Sequence, residues 1–247
     1  MTNDPGYRLF PVSSDGRKWA EAANFVADQV TADAAIRAAN LRHGNTWFVG
    51  VDALPTGPHG EILGIPCGGA WRSVIPDVAP WHKAQLSVVY PGYPKQDDDQ
   101  SQANHAYRIN KAAAHVDGLL PVGRERRRYP REFHAFVLGL PLNASSAAPT
   151  VCWAGSHKIM GHALRTAIGD HNPSAVDVTQ AYHDARKEIF NTCKMVELRV
   201  EPGAAFLLHR FTLHGTAPWS DSSTQERRIA FFRPEFQNPK DWLRVDW

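Results

Sequence analysis

The chain has 247 residues and a formal net charge of +2. That length suits one large domain or two small ones with a substantial buried core, and so small a charge gives no support for a nucleic-acid partner. Three cysteines, Cys67, Cys152 and Cys193, are odd in number and show no C-x-x-C pairing, which argues against a disulfide framework or a structural zinc and predicts a reducing, cytoplasmic setting.

The opening MTNDPGYRLF has no basic start followed by an apolar run, so no signal peptide is expected, and no apolar stretch approaches the length of a membrane span. Residues 15–43 read as helical, because Trp19, Ala22, Ala23, Val26, Val30, Ala34, Ala35 and Ile36 recur at helical spacing. Asp15 is a candidate cap and Gly44 a stop. TWFVGVDAL at 46–54 reads as a strand and PTGPHGE as turns; AQLSVVY at 84–90 is a strand closed by PGYP. KQDDDQSQAN at 95–104 reads as a solvated loop or as a lid beside an active site.

AYRINKAAAHVDG at 106–118 reads as the next strand, with Tyr107, Ile109, Lys111, Ala113, His115 and Asp117 on one face. GRERRRYPRE at 123–132 carries five arginines and reads as a solvated loop or as a contact for an anionic substrate. FHAFVLGLPL (133–142) and TVCWAGSH (150–157) are strands, the second running into a turn. TQAYHDARKEIFNTCK at 179–194 is helical, after which MVELRV, AAFLLH and RRIAFFR return to strands. The whole reads as one domain over 1–247, mainly β with flanking helices. N-terminal elements run to about 83, a barrel core covers about 84–236, and a helical insertion lies at about 158–194.

Chemistry concentrates in HVDG at 115–118 and in His214. Residues two apart on a strand share a face, so His115 and Asp117 offer an imidazole and a carboxylate side by side. A second imidazole from a distant strand completes two histidines and one carboxylate. That set occupies one face of an octahedral metal and leaves positions open, as non-haem Fe(II) oxygenases require. His209, five residues before His214, is expected to support the site or the fold, and His105 and His134 to lie on the surface or line a pocket.

The order HVDG (115–118), WAGSH (153–157), PGAAFLLHRFTLHGT (202–216) and ERRIAFFRP (226–234) resembles the phytanoyl-CoA dioxygenase-like family of Fe(II)/2-oxoglutarate oxygenases. The likeness covers roughly residues 84–236. It implies a double-stranded β-helix, a jelly-roll, cupin-like barrel of two sheets. It also implies His115, Asp117 and His214 as iron ligands, with 2-oxoglutarate and O2 as cosubstrates.

Thr216, in the His214-Gly215-Thr216 triplet, would bond the distal carboxylate of 2-oxoglutarate, and an arginine opening the last strand would pair with it. Arg227 and Arg228 compete for that place, on opposite faces of the strand; the family pattern favours Arg227. WAGSH has Ala154 where the family's turn has proline. A carboxylate at Asp117, where related halogenases carry Gly or Ala, points to hydroxylation or a related oxidation.

The implied activity is hydroxylation of a small organic substrate with release of succinate and CO2; an anionic group on that substrate is the reading of the arginine-rich 123–132 segment as a substrate contact, against that of a solvated loop. Arg127, Arg131 and Arg233 are candidates for that group. Arg233 shares a face with Arg227 about 20 Å along the strand, which sets it at the far end of the pocket or its rim. A cupin-type enzyme of other chemistry, an oxygenase acting on a macromolecule, and a non-catalytic ligand-binding relative are the alternatives. No nucleic-acid or membrane partner is expected.

Overall fold

The computed structural model describes residues 4–220 and 225–244. Strand β1 (Tyr7–Phe10) is followed by helices α1 (Ser14–Ala32) and α2 (Ala34–Asn40) and strands β2 (Leu41–Arg42), β3 (Trp47–Leu54) and β4 (Ala84–Val89). Helix α3 (Gln102–Lys111) precedes the β5 (Leu119–Val122) and β6 (Arg127–Pro130) hairpin. Strands β7 (Phe136–Pro141) and β8 (Thr150–Trp153) lead into helices α4 (Ser156–Ile168) and α5 (Thr179–Thr192). Strands β9 (Met195–Leu198), β10 (Ala205–His209), β11 (His214–Thr216) and β12 (Arg227–Phe232) follow, then a short α6 (Asp241–Arg244).

Seven strands form one sheet in the order β1-β10-β7-β12-β4-β3-β2, and three form a second, β11-β8-β9. Every pairing is antiparallel. Val137, Phe206, Leu208 and Ile229 of the large sheet cluster with Cys152 and Leu198 of the small one, so the two sheets close face to face around an interior. The alternate residues Leu86, Val88, Leu138, Leu140, Leu207, Ala230 and Phe232 turn outward, where Trp19, Ala23, Val26 and Val30 of α1 cover them. On the other side, Val151 and Trp153 cluster with Leu164, Ile168 and Ile189 of α4 and α5. The result is a double-stranded β-helix flanked by helices. Each large side chain so buried contributes about 1.5–3 kcal/mol, and the Trp19 indole is fixed further by donating to the Gly60 carbonyl at 2.7 Å.

Several local expectations are corrected. The helical stretch at 15–43 divides at Asp33, whose carboxylate accepts the Ile36 N–H and starts a second helix. The strand expected at 106–118 is instead the end of helix α3 up to Lys111 followed by turns, with a single bridge at His115. Ser101 caps the helix by accepting from Asn104 N, and Ala112 ends it in the left-handed region at φ 50°. The alternation from Tyr107 to Asp117 that suggests a strand runs through Ala, Arg and Lys, which are strong helix formers. Tyr107 and Ile109 therefore share no strand face with His115. The arginine-rich 123–132 segment is partly strand, β6, and Tyr7–Phe10 adds an unforeseen strand beside β10.

The 95–104 segment is tied to the N-terminal part of the chain. Asp97 accepts backbone N–H bonds from His43 at 2.9 Å and Gly44 at 2.6 Å. Burial, aided by Arg108, pushes the His43 imidazole down to about 4 despite Asp97, and burial with Arg210 nearby pushes His209 down to about 2. Both rings are thus held neutral in the fold, while the unfolded chain takes up protons near pH 6.5. Their stabilisation is complete above pH 6.5 and declines on acidification, for His43 down to about pH 4. The melting temperature is expected to drop across that window, and less steeply in His43→Asn; equal slopes in the two proteins would contradict this.

Candidate active site

Within HVDG only His115 pairs as in a strand, and Asp117-Gly118 form a turn. His115 forms a two-way backbone bridge with His214, N–H to carbonyl at 2.8 Å and 3.0 Å. The two histidines are thereby paired across segments almost a hundred residues apart in sequence. Both motif glycines have a steric reason. A side chain at Gly215 would meet the Ala112 carbonyl oxygen at 2.1 Å, and Gly118 sits at φ +80° with the Glu132 carbonyl oxygen 2.2 Å from where its Cβ would lie. WAGSH contributes a brace: Ser156 Oγ accepts the Leu213 N–H at 2.9 Å, and Trp153 N donates to the Leu213 carbonyl, fixing the residue before His214.

The three expected ligands converge. Among the described residues, His115, Asp117 and His214 are the one group of His, Cys, Asp or Glu side chains whose donor atoms all lie within 4.8 Å of one another. His115 Nε2 is 3.3 Å from Asp117 Oδ1, and His214 Nε2 is 3.5 Å from Asp117 Oδ2. The His115 Nδ1 faces the Ala113 carbonyl at 3.0 Å, and the His214 Nδ1 faces the Thr212 carbonyl at 2.9 Å. A carbonyl only accepts, so each Nδ1 donates to it and Nε2 is the ring nitrogen turned toward Asp117, the orientation a metal ligand needs. Asp117 Oδ2 is buried without a hydrogen-bond partner. Burial opposes the charge on Asp117, but Arg233 and the two imidazoles outweigh it and hold the carboxyl well below its usual range. A carboxylate and two imidazole nitrogens facing one point, with one buried oxygen unused, fit a divalent cation.

The register of β12 separates the two competing arginines. Arg227 points into the barrel with Ile229, and is 3% exposed. None of its three side-chain nitrogens has a hydrogen-bond partner. Burial lowers its pKa to about 10, which still leaves it charged at pH 7. Arg228 points outward and pairs with Asp28 at 2.5 Å and Glu226 at 2.7 Å. An unpaired buried guanidinium costs several kcal/mol, and an anion entering the barrel removes that cost. A cavity of about 380 Å³ reaches Arg227 between Thr150, Leu198 and Ile229; neither Thr216 nor the three expected ligands line it.

Thr216 lies on the same face of β11 as His214 and directly opposite Thr150 on β8. The Thr150 hydroxyl is buried and unpartnered. Thr150 therefore stands across from Thr216 and lines the same cavity as Arg227, a placement invisible in the sequence because it depends on the β8–β11 register.

The other expected residues separate. Arg127 pairs with Asp177 and, at 3.8 Å, with Glu125. Arg131 donates to the Ser174 carbonyl at 3.0 Å and lies over the Tyr129 ring. Both are thus engaged with the segment before α5 and with their own hairpin. Arg233, expected at the far end or rim, instead stands at the triad, with Nη1 3.5 Å from Asp117 Oδ1. His209 is buried beside His157 and Phe211, outside the triad. His134 is buried, bridging the Arg233 carbonyl and Glu132.

No protein-family model and no curated protein matches the sequence. Solved structures do. The non-heme alpha ketoglutarate dependent carbocyclase SnoK from nogalamycin biosynthesis superposes with a TM-score of 0.50 at 17% identity, over 95% of this chain and 84% of that one. The two chains share a fold. EctD from S. alaskensis with bound Fe (TM-score 0.48, 14% identity, 93% of this chain and 72% of that one) and AviO1 from Streptomyces viridochromogenes Tue57 (0.47, 13%, 94% and 90%) are also similar.

Proposed function

We propose that this protein is an Fe(II)- and 2-oxoglutarate-dependent dioxygenase that hydroxylates a small organic molecule. The observation that carries the reading is a pair of unmet demands at one barrel: a bis-imidazole and carboxylate set with one buried oxygen unused, and a buried guanidinium with no anion. Together they ask for a divalent cation and a carboxylate, and 2-oxoglutarate supplies the second while chelating the first. The shared fold with SnoK is consistent with this. Bound iron with 2-oxoglutarate and O2 supplies the oxidation of a C–H bond, coupled to loss of CO2 and formation of succinate.

The chain's own contribution is placement. His115, Asp117 and His214 would hold the metal, and the Ala113 and Thr212 carbonyls keep both rings in the ligating orientation. Arg227 would pair with the distal carboxylate of 2-oxoglutarate, while the Thr216 and Thr150 hydroxyls donate to it. Ile229, Val137, Phe206 and Leu208 line the interior with hydrocarbon and keep water from it.

An anionic group on the substrate remains part of the proposal only through Arg233, since Arg127 and Arg131 already have partners elsewhere. The complete donor set favours an enzyme over a non-catalytic ligand-binding relative. No helix among the described residues is long and apolar enough to cross a membrane.

Fe(II)-loaded protein incubated with 2-oxoglutarate and O2 is expected to release succinate, with stimulation by the cognate substrate from a small-molecule library. Omitting iron, or substituting His214→Ala, should return the yield to that of a protein-free control. Succinate no higher than that control in the wild type contradicts the proposal.

A further inference from the structure

The reading above leaves Arg233 with two conceivable tasks, and its contacts choose between them. Arg233 follows directly on β12, on the face that carries Arg227, Ile229 and Phe231. Its Nη1 is 3.5 Å from Asp117 Oδ1, and its Nη2 donates to Gln85 Oε1. Gln85 is buried on β4, opposite Phe231 in the β4–β12 register. The guanidinium is therefore clamped from two sides, a carboxylate ahead and a carboxamide oxygen behind. Its backbone is held too: the Arg233 carbonyl faces His134 Nδ1 at 2.9 Å, and the next carbonyl, of Pro234, accepts the Ala135 N–H at 2.7 Å.

The consequence falls on Asp117. Oδ1 faces Arg233 at 3.5 Å and His115 at 3.3 Å, while Oδ2 faces His214 Nε2 at 3.5 Å and is buried with no hydrogen-bond partner. The guanidinium thus engages one of the two oxygens and not the other. A metal held by this side chain would meet Oδ2 free of the guanidinium, while Arg233 keeps Oδ1 occupied. The nearby positive charge also offsets the cost of keeping a buried carboxylate ionised before any cation arrives.

On the basis of the metal assignment above, we propose that Arg233, backed by Gln85, is a positioning residue that holds Asp117 as a single-oxygen ligand, and not the anchor of a substrate anion. A planar fork suits the task because it reaches Asp117 and Gln85 at once, which a lysine ammonium on a flexible stem does less well.

The test is Mn(II) affinity, measured by the electron paramagnetic resonance signal of the free ion, in wild type, Arg233→Ala, Arg233→Lys and Gln85→Leu. Loss of a residue that orients a ligand typically weakens metal binding 10–100-fold. Arg233→Ala is expected to fall in that range, with Arg233→Lys recovering part of the loss and Gln85→Leu losing less than Arg233→Ala. The Co(II) absorption spectrum should change in the same order, because the carboxylate is freed to use both oxygens.

Wild-type Mn(II) affinity and an unchanged Co(II) spectrum in Arg233→Ala overturn the inference, and a selective rise in substrate KM there would assign Arg233 to the substrate. If that variant does not fold, unchanged metal affinity in both Arg233→Lys and Gln85→Leu overturns it equally. Failure of the wild type itself to bind Mn(II) would instead count against His115, Asp117 and His214 as ligands.

Discussion

Asp117→Ala is expected to lose Fe(II) binding by more than about 100-fold, beyond the range seen when only a supporting residue is removed, and turnover with it. The reason lies in the donor set. Without Asp117 the site keeps two imidazoles and no negative charge to offset a divalent cation, and it keeps Arg233 with its positive charge no longer balanced. His115→Ala and His214→Ala should fail as well, because among the described residues no other His, Cys, Asp or Glu joins this group to take the vacated place. Isothermal titration with Fe(II) under anaerobic conditions, paired with succinate release, measures both effects. Full activity in Asp117→Ala would sink the assignment.

Arg227→Met is expected to have opposite effects on the ligand-free protein and on cosubstrate binding. In the ligand-free protein it removes a buried, unpaired charge, a change that is often neutral or stabilising by about 1–4 kcal/mol. With 2-oxoglutarate it removes the partner of a buried carboxylate, which costs about 2–5 kcal/mol, so the KM should rise roughly 30-fold or more. Thermal melts separate the two: 2-oxoglutarate with Mn(II) should raise the wild-type midpoint and leave that of Arg227→Met almost unmoved. Arg228→Met should leave the KM unchanged and cost little stability, since its partners Asp28 and Glu226 are solvent-accessible. A KM effect in Arg228→Met without one in Arg227→Met would place the strand one residue out of register.

What the sequence made legible was local. His115 and Asp117 are two residues apart, and Gly118 and Gly215 are dictated by backbone approaches that no side chain tolerates. Arg227 against Arg228 is a choice between two faces of one strand. The barrel itself was readable from the run of short strands together with the ordered motifs. What stayed hidden depended on pairings between distant segments. Gln85 meets Arg233 only because β4 lies beside β12, and Thr150 meets Thr216 only because β8 lies beside β11.

The arginine cluster shows the same boundary from the other side. Composition cannot tell a free guanidinium from a paired one, and the carboxylate that holds Arg127 is Asp177, fifty residues later. The mistaken strand at 106–118 has a different origin. A period-two pattern over Tyr107 to Asp117 was read without weighing helix propensity, and the Ser101 cap with the left-handed Ala112 decided the matter.

The most direct test of the central claim is an anaerobic titration of Fe(II)-loaded protein with 2-oxoglutarate, followed by the visible charge-transfer absorption that arises when the 2-oxo acid chelates the iron. The account predicts a band that saturates at one equivalent per chain in the wild type, is missing in Asp117→Ala, and needs far higher 2-oxoglutarate in Arg227→Met. A wild-type protein that binds iron but develops no band, or an Asp117→Ala protein whose band matches the wild type, would contradict it.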